Sequence, residues 1–354
     1  MNLKTKITKI HYDKNAKGAL FLLLKLCSYF YGIASRIKNY LYDKNIIKSK
    51  KVNAFVVSVG NFTTGGVGKT PVVAEIARYY IKNGEKPAII SRGYGGKLCN
   101  KIVHVISDGV NLYYNALLSG DEPYWLAVNI DGCAVLTCSN RYKAAKYAIE
   151  ELGCNKIILD DGFQHRKLYR DLDIVLVDSE KMFGNECLLP AGPLREGNEG
   201  FKRISKLVIV SKNINHARAE KLANIMGKKL FSNSLSDVSD LPNQENSKVI
   251  ICKTEPDYIY NILSGEHLQK GTEIVAISAI GQPEQFYKFL ENDYKINDKI
   301  SFDDHHIYTE NDIKNIKYPI VTTEKDAVKL AILNKSNIYA LKLKTTLPVE
   351  SLLN

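Results

Sequence analysis

A glycine-rich turn constrains this chain more than any other feature of its sequence. Residues 55–59 form an apolar, β-branched run, and Gly60-Asn-Phe-Thr-Thr-Gly-Gly-Val-Gly-Lys-Thr-Pro71 follows it directly. A strand that enters a glycine loop and then a helix turns backbone N–H groups inward and adds the positive end of the helix dipole. This arrangement predicts a phosphate-binding loop, in which the nucleotide contacts Thr64, Gly65, Gly66, Val67, Gly68, Lys69, Thr70 and Pro71.

Two side chains of this loop have predicted roles. Lys69 would reach the β- and γ-phosphates, and the Thr70 hydroxyl would ligate Mg²⁺, while Pro71 loses no needed hydrogen bond at a helix start. The usual G-x-x-x-x-G-K-[ST] pattern has glycine at position 63, where this chain has Thr63 and additional glycines at 65 and 66. A chance glycine turn is the alternative, but Gly-Lys-Thr in this strand-to-helix context favours nucleotide binding.

Acidic residues at the end of another apolar strand are candidates for holding the metal. Residues 157–159 are Ile-Ile-Leu, and Asp160 and Asp161 follow them. Adjacent strand residues point to opposite faces, so one of the two faces Mg²⁺ unless the strand ends there. Strand ends are also often acidic caps, and Asp178, after an apolar run of its own, is a competing candidate.

Short β-branched runs alternate with helical segments after residue 51. This alternation predicts an α/β fold with a P-loop NTPase-like parallel sheet flanked by helices. The predicted strands are 54–59, 87–90, 134–137, 156–159, 173–177, 207–210, 249–252, 273–277, 320–323 and 338–343, and the predicted helices are 70–81, 140–152, 285–290 and 324–333. The polar stretch 213–246 indicates a boundary. We therefore predict a basic N-terminal helix segment (1–51), a P-loop core domain (52–212) and a smaller C-terminal α/β domain (213–354).

The positive charge of the chain is concentrated at its N-terminus. The net charge is +11, and residues 1–51 alone hold twelve Lys and Arg against two Asp. The remaining residues are nearly neutral, whereas a nucleic-acid enzyme more often spreads positive charge over a folded face. Because the basic residues flank an apolar stretch, they favour an anionic membrane surface as the partner and argue against nucleic acid.

The apolar stretch itself covers residues 19–34 and includes Lys25. At about 16 residues it is shorter than the ~20 that a spanning helix needs, which predicts a helix lying in the membrane interface. A signal peptide cleaved after Ala34 and an ordinary core helix are the alternatives.

Seven cysteines without a Cys-x-x-Cys pair support neither a disulfide framework nor a zinc site and fit a cytoplasmic setting.

Several blocks of the sequence together resemble one enzyme family. Asp-Asp-Gly-Phe-Gln-His at 160–165 is similar to the signature of the tetraacyldisaccharide 4′-kinases, the lipid A 4′-kinase family. Further blocks occur in that family's order: the glycine loop with its double glycine, Ser-Arg-Gly-Tyr-Gly-Gly at 91–96, Gly-Asp-Glu-Pro at 120–123, Asn-Arg at 140–141, Leu-Pro-Ala-Gly-Pro-Leu-Arg-Glu at 189–196, Asp-His at 304–305 and Thr-Thr-Glu-Lys-Asp at 322–326. The loops at 97–119 and 213–246 match no motif of this family.

The resemblance implies a specific reaction. A member of this family uses Mg·ATP to phosphorylate the 4′-hydroxyl of a tetraacylated glucosamine disaccharide 1-phosphate in lipid A biosynthesis. The resemblance also implies a peripheral, monotopic enzyme on the cytoplasmic face of the bacterial inner membrane, with a lipid disaccharide substrate and no obligate protein partner.

The resemblance also assigns residues. Asp121 is implied as the base that takes the proton of the sugar hydroxyl, assisted by His305, with Lys69 on the phosphates. Without the resemblance, Asp121 is interpreted as a helix N-cap and His305 with His306 as a loop-surface pair. The substrate-binding residues that we expect are Arg92, Tyr94, Asn140, Arg141, Gln164, His165, Arg195 and Glu196.

Alternatives stay open for some of these residues and for the function as a whole. Arg92 also fits a glycine turn with a surface arginine, and Arg195 with Glu196 fits a structural salt bridge. A P-loop GTPase or metallochaperone switch is the rival function, but a guanine site needs Asn-Lys-x-Asp. The nearest match, Asn-Lys-Ser-Asn at 334–337, lacks the aspartate.

Overall fold

The β-branched runs of the sequence form strands in a computed structural model, which describes residues 3–212, 216–231, 248–281, 283–303 and 306–354. The chain divides into two units. The first takes in the chain up to Tyr79, Asn155–Lys253 and Leu347–Asn354, and the second takes in Tyr80–Cys154 and Thr254–Thr346. Neither unit is one continuous stretch of chain. The predicted boundaries after residues 51 and 212 stay a prediction.

Within the described part of the first unit, parallel strands pair in the order β8-β7-β6-β1-β5. Their apolar residues are buried along almost the whole strand length, as in a sheet covered on both faces. The elements are α1 (Leu3–Tyr12), α2 (Ala19–Asp43), β1 (Phe55–Asn61), α3 (Lys69–Lys82), β5 (Lys156–Asp160), β6 (Leu172–Asp178), β7 (Lys206–Ser211), α7 (Ala217–Phe231), β8 (Val249–Asn261) and α11 (Val349–Leu353), of which α3 and β8 run on into the second unit.

The second unit contains two sets of strands among its described residues. β2 pairs in parallel with β4, and β4 pairs antiparallel with β3, whereas β10, β9, β11 and β12 follow one another in parallel. The elements are β2 (Pro87–Ser91), β3 (His104–Asp108), α4 (Ala116–Ser119), α5 (Asp121–Asn129), β4 (Ala134–Thr137), α6 (Arg141–Glu150), β9 (Glu273–Ser278), α8 (Glu284–Glu291), β10 (Lys295–Ser301), α9 (Glu310–Ile313), β11 (Ile320–Thr323), α10 (Glu324–Leu330) and β12 (Ile338–Thr346). The mixed α/β fold class is the predicted one.

Three strands and one predicted helix differ from the prediction. β3 and β10 carry polar and charged residues, and β10 is largely exposed, so neither gives the apolar run by which the other strands are recognised. β8 continues to Asn261, well beyond the predicted end at 252, because residues 253–257 are polar residues and a proline that end the apolar run although the strand goes on. The helix predicted at 324–333 changes to a 3₁₀ turn after Leu330.

The sheet of the first unit brings the predicted motifs to one edge. Val59 on β1 is opposite Asp160 on β5, and Gly60 is opposite Val175 on β6. Because parallel strands have their carboxyl ends at the same edge, the loops after β1, β5, β6 and β7 all begin there. This edge is where open α/β sheets bind their ligands.

A close approach between two chain segments explains the glycine at the end of β1. A methyl group on Gly60 would lie 2.5 Å from the Phe163 Cβ and 2.9 Å from its backbone nitrogen. Phe163 is fully buried and packs edge-on against Phe62, with ring centroids 5.2 Å apart. The absence of a side chain at Gly60 therefore lets the segment after β5 pack directly against the start of the glycine loop.

Helix α2 turns its polar side inward and its apolar side outward. Its buried residues are Ser28, Gly32, Asn39 and Tyr42. They are separated by four, seven and three residues in turn, so they lie on one face of the helix. Its exposed face carries Leu22, Leu23, Leu26, Tyr29, Phe30, Ile33, Ile37 and Tyr40. Among the described helices, α2 is the one long and apolar enough to cross a membrane by length and composition, and 17% of its most apolar window is buried. That small buried share argues against the core-helix alternative.

We expect the Gly60→Ala substitution to destabilise the chain by about 1–3 kcal/mol, because the new methyl group overlaps Phe163 backbone and side-chain atoms that cannot move independently. Chemical denaturation measures the loss. Gly66→Ala is the matched control, since a methyl group there meets no atom within 4 Å. Equal stability of the two variants would contradict this account of Gly60.

Candidate active site

The glycine loop after β1 has the backbone of an anion-binding turn. Gly65 and Gly68 have φ angles of +110° and +97°, a backbone conformation that residues other than glycine rarely adopt. The loop leads into α3 at Lys69, so Thr70 and Pro71 lie in the first turn of that helix. The Lys69 Nζ donates a hydrogen bond to the Asn61 Oδ1 at 3.3 Å, so the lysine side chain is turned toward the end of β1.

Asp161 lies between two cations at the carboxyl edge of the sheet. Its carboxylate is 3.4 Å from the Lys69 Nζ and accepts two hydrogen bonds from one guanidinium nitrogen of Arg195, at 2.7 and 2.8 Å. Burial raises the pKa of the Asp161 carboxyl, but the charges of Lys69 and Arg195 outweigh burial and lower the pKa to about 2. Asp161 is therefore ionised at physiological pH and fixes both cations.

Glu196 is a support for this cluster and not an exposed contact. Its side chain is 2% exposed and accepts hydrogen bonds from Gln164 at 2.9 Å, from Asn39 at 3.2 Å and from Arg203. Gln164 also donates to the Asn61 backbone oxygen at 3.1 Å. Arg195 and Glu196 are thus both in ion pairs, which agrees with the structural interpretation of these residues and leaves substrate contact by Glu196 a prediction.

The segment at 193–195 is attached to the glycine loop through the backbone. Thr64 donates its N–H to the Pro193 oxygen at 2.8 Å, and Arg195 donates its N–H to the Phe62 oxygen at 2.7 Å. These bonds bring Arg195 next to Lys69 although the two residues are far apart in sequence. The Pro-Ala-Gly-Pro turn before Arg195 therefore completes the loop and is not merely a surface turn.

The two metal candidates, Asp160 and Asp161, have different surroundings. Asp160 is buried at the last position of β5, whereas Asp161 has a φ of +53° and turns toward the cations described above. The competing candidate, Asp178, accepts two backbone N–H bonds from the turn after β6 and pairs with Lys212 at 3.2 Å. Asp178 is thus already used by the local turn, and binding of Mg²⁺ by Asp160 or Asp161 stays a prediction.

A second group of predicted residues comes together in the second unit. Gly96 and Gly120 let two loops touch: a methyl group on Gly96 would lie 2.5 Å from the Leu118 oxygen, and one on Gly120 would lie 2.6 Å from the Tyr94 oxygen. Arg92 and Tyr94 are exposed on the first of these loops. The loop that carries Arg92 and Tyr94 therefore packs beside the start of α5.

Asn140 and Arg141 follow β4, which is the parallel neighbour of β2. The Cys138 N–H donates to the Ser91 oxygen at 3.1 Å, so these residues begin beside the loop that carries Arg92. Asn140 is the N-cap of α6 and accepts from the Lys143 N–H, and Arg141 is buried and donates to the Ser139 oxygen. Both residues have structural roles, and their contact with substrate stays a prediction.

Asp121 is the first residue of α5 but does not cap it. The N-cap is Gly120, so the N-cap interpretation of Asp121 is wrong. Its carboxylate, 9% exposed, instead lies 3.3 Å from the Lys329 Nζ on α10, and Lys329 also lies 2.8 Å from Asp326. A carboxylate buried beside a lysine is an arrangement that functional sites use.

Asp304 and His305, the Asp-His block, lie outside the described residues. His306 is described: its Nε2 is 3.3 Å from the Asp312 carboxylate, and its ring stacks on Phe302 with centroids 4.4 Å apart. His165, the last residue of the 160–165 block, is half-buried, and its N–H donates to the Gly162 oxygen at 2.8 Å. Roles in binding for His165 and in catalysis for His305 stay predictions.

Three residues of these clusters were missed by sequence reasoning. Asn61 holds Lys69, Lys212 donates to the Gly66 oxygen at 2.7 Å, and Lys329 pairs with Asp121. Asn61 is the last residue of β1 and Lys212 follows directly after β7, so a search for polar residues at strand ends would have found both. Lys329 has one sequence signal, its i,i+3 spacing from Asp326.

A parallel sheet whose first strand enters a glycine loop, a lysine beginning the next helix and acidic residues ending the neighbouring strand together define a P-loop nucleotide-binding protein. Comparison with known sequences narrows this class. Residues 20–354 match the family described as LpxK, tetraacyldisaccharide-1-P 4′-kinase. The chain belongs to this family, and its enzyme class is lipid kinase.

Individual relatives agree along the whole chain. A protein of Syntrophus aciditrophicus named tetraacyldisaccharide 4′-kinase is 35% identical, with 99% of this chain and 96% of the relative covered. One of Francisella tularensis subsp. novicida with the same name is 34% identical, with 95% and 97% covered. The crystal structure of LpxK from Aquifex aeolicus in complex with ATP superposes with a TM-score of 0.74 at 31% identity, covering 95% of this chain and 97% of that one. These matches favour the kinase over a GTPase or metallochaperone switch.

The lowered pKa of Asp161 predicts a pH-dependent contribution to stability. Because the folded state favours the carboxylate, this contribution is complete above the ordinary value of 3.8 and is lost as the pH falls toward about 2. We expect Asp161→Asn to be less stable than the parent at neutral pH, with a difference that shrinks as the pH falls below about 4. Urea unfolding at pH 6, 4 and 3 measures this difference.

The exposed Asp131, changed to Asn, is the control for this measurement, and its effect should not vary with pH in the same way. A difference for Asp161→Asn that stays constant or grows as the pH falls would contradict the assigned ion pairs.

Proposed function

We propose that this chain transfers the γ-phosphoryl group of ATP to the 4′-hydroxyl of a tetraacylated glucosamine disaccharide 1-phosphate, a step in lipid A biosynthesis. The observation that carries the proposal is the family match over residues 20–354, joined to a glycine loop with Lys69 and Asn61 in contact. The ATP named in the crystal structure of the Aquifex aeolicus relative supports the choice of nucleotide.

The glycine loop holds the triphosphate in this proposal. In this proposal the backbone N–H groups of Gly65, Gly66, Gly68, Lys69 and Thr70 bind the phosphate oxygens, and the amino end of α3 adds its dipole. Lys69 and Arg195 are held by Asp161 next to this loop, so the triphosphate meets two cations already in position. Such preorganised charge is the main contribution that a protein makes to phosphoryl transfer.

The residues at the edge of the sheet also fit Mg²⁺. The Thr70 hydroxyl and the buried Asp160 carboxylate are hard oxygen donors, which this cation prefers, whereas Asp161 is taken up by Lys69 and Arg195. The described residues contain no group of three or more His, Cys, Asp or Glu that could hold a metal, and nucleotide-bound Mg²⁺ needs only one or two protein ligands. When bound, Mg²⁺ neutralises charge on the phosphate oxygens.

Asp121 is the proposed general base. Its carboxylate accepts the proton of the 4′-hydroxyl while that oxygen forms a bond to the γ-phosphorus, and the bond from the γ-phosphorus to the bridging oxygen breaks to release ADP. His305 assists in this proposal through the family's Asp-His block. Burial of Asp121 and its ion pair with Lys329 support the assignment, because a base must be held in one orientation to act.

The predicted acceptor contacts are found in each unit. Arg92 and Tyr94 are exposed on a loop packed beside the start of α5, and they suit the anionic and sugar parts of the lipid headgroup. Asn140, Arg141, Gln164 and His165 complete the predicted set. Arg195 is shared with the nucleotide, whereas Glu196 acts by fixing Gln164.

A phosphorylation assay tests the proposed function. We expect the full-length chain to transfer label from γ-labelled ATP to a tetraacyldisaccharide 1-phosphate in detergent micelles. Asp121→Asn should lower kcat by roughly 10²–10⁴ with the KM for ATP retained, the range for loss of a general base. Lys69→Met should lower the rate by removing charge from the triphosphate.

Glu122→Gln is the matched control for Asp121→Asn, since Glu122 is the next residue of α5 and pairs with Lys325 near the surface. It should keep the kcat of the parent. Absence of lipid phosphorylation by the parent chain would contradict the reaction, and a fully active, folded Asp121→Asn variant would contradict the base assignment alone.

We also propose that the enzyme is monotopic on the cytoplasmic face of the bacterial inner membrane. Helix α2 is attached to the first unit along one face: Ser28 donates to the Leu188 oxygen, Tyr31 to the Arg195 oxygen, Lys38 to the Gln164 oxygen, and Asp43 pairs with Arg166. These contacts extend over about 22 Å of helix. A helix fastened in this way lies along a membrane surface with its apolar face in the lipid, and basic residues around it attract anionic headgroups.

We expect the triple variant Leu22→Gln, Leu23→Gln, Leu26→Gln to move from the membrane fraction to the soluble fraction without a change in Tm, because these side chains are about 60% exposed. Fractionation at low and high salt measures this shift. The control changes Val128, Leu263 and Ile332, exposed apolar residues outside α2, to Gln and should stay membrane-bound. Retention of the α2 variant on membranes would contradict the proposed anchor.

A further inference from the structure

A lysine bridges two carboxylates in the second unit. The Lys329 Nζ lies 3.3 Å from the Asp121 Oδ2 and 2.8 Å from the Asp326 Oδ1. The side chains of Asp121 and Lys329 are each 9% exposed, and that of Asp326 is fully buried. Three charged groups are thus removed from water together, which costs a large desolvation free energy unless their geometry is well matched.

Asp326 fixes the position of the lysine. Its other carboxylate oxygen accepts the Ala279 backbone N–H and the Thr323 hydroxyl, both at 2.9 Å. Thr323 in turn caps the first turn of α10 through the Asp326 N–H. Because Asp326 is held at three points and lies three residues before Lys329 on the same helix, the ammonium group has a defined place without Asp121. Asp121 therefore binds to a lysine that is already fixed.

A purely structural role does not account for the ion pair between Asp121 and Lys329. The same two helices, α5 and α10, are also joined by Lys325 and Glu122 at 3.1 Å, a pair much closer to the surface. A buried ion pair adds little net stability compared with apolar residues of similar size. Tyr308 packs its ring 5.4 Å from the Lys329 Nζ, which excludes water from the lysine on that side.

We propose that Lys329 is a positioning residue that orients the Asp121 carboxylate for proton transfer by holding its Oδ2 atom. This inference rests on the proposed role of Asp121 as the base. Lys329 acts through Asp121 and does not touch the substrate. A carboxylate misplaced by about 1 Å loses roughly 10² in rate, so the effect of Lys329 falls on kcat and not on nucleotide binding.

The first test compares kcat and KM of Lys329→Met with those of Lys325→Met. We expect Lys329→Met to lower kcat about 10²-fold with the KM for ATP within about twofold of the parent. Lys325→Met removes the other ion pair between the same helices and should keep the kcat of the parent. Tm is measured on every preparation.

The second test is a double-mutant cycle. If Lys329 acts through Asp121, then Lys329→Met in an Asp121→Asn background should lower kcat by no more than about twofold further. A lysine that merely supports the fold would lower kcat by the same factor in both backgrounds. Should Lys329→Met not fold, Lys329→Met with Asp326→Asn removes one cation and one anion together and is judged by the same kcat criterion.

The outcomes separate this inference from the proposed function. A folded Lys329→Met or Lys329→Met/Asp326→Asn variant with the parent kcat, or independent effects in the cycle, overturns the positioning role while Asp121→Asn stays defective. Full activity of Asp121→Asn overturns the base assignment, and the positioning role with it. Loss of kcat that disappears in the Asp121→Asn background supports both.

Discussion

Parallel pairing of β1 with β5 and β6 is the constraint on which the nucleotide cluster depends. It places the glycine loop, the Asp160-Asp161 pair and the ends of β6 and β7 at one edge of the sheet. Cations and carboxylates that are distant in sequence then come within hydrogen-bonding distance, as Lys69, Asp161 and Arg195 do. Gly60 makes the pairing possible at close range, because no side chain fits between the end of β1 and Phe163.

The inverted polarity of α2 links its proposed attachment to the membrane with the same cluster. A helix in a water-soluble protein buries its apolar face, but α2 buries Ser28 and Asn39 and exposes leucines. Its polar side chains bind the backbone of Arg195 and Gln164 and the carboxylate of Glu196. The residues that hold Asp161 and Gln164 are therefore themselves held by the helix whose exposed face is apolar.

The apolar strands and the glycine loop could be predicted because each has a local signal: a β-branched run, or glycines before Gly-Lys-Thr. The polar edge strand β10 has no such signal, since its pairing with β9 supplies what its composition lacks. The length of α2 was underestimated for a related reason. Ser35 and Arg36 end the apolar run at 34, but polar residues further along, such as Asn39 and Asp43, bind the protein, and the helix continues to Asp43.

The two clusters have opposite balances of charge, and each balance suits its proposed task. Among the described residues around Asp161, two cations share one carboxylate, which leaves positive charge for a triphosphate. Around Lys329 one cation lies between two carboxylates, which leaves negative charge for accepting a proton. Asp326 is held by Ala279 and Thr323 and in turn holds the ammonium group of Lys329, so the lysine keeps its contact with Asp121 in one place.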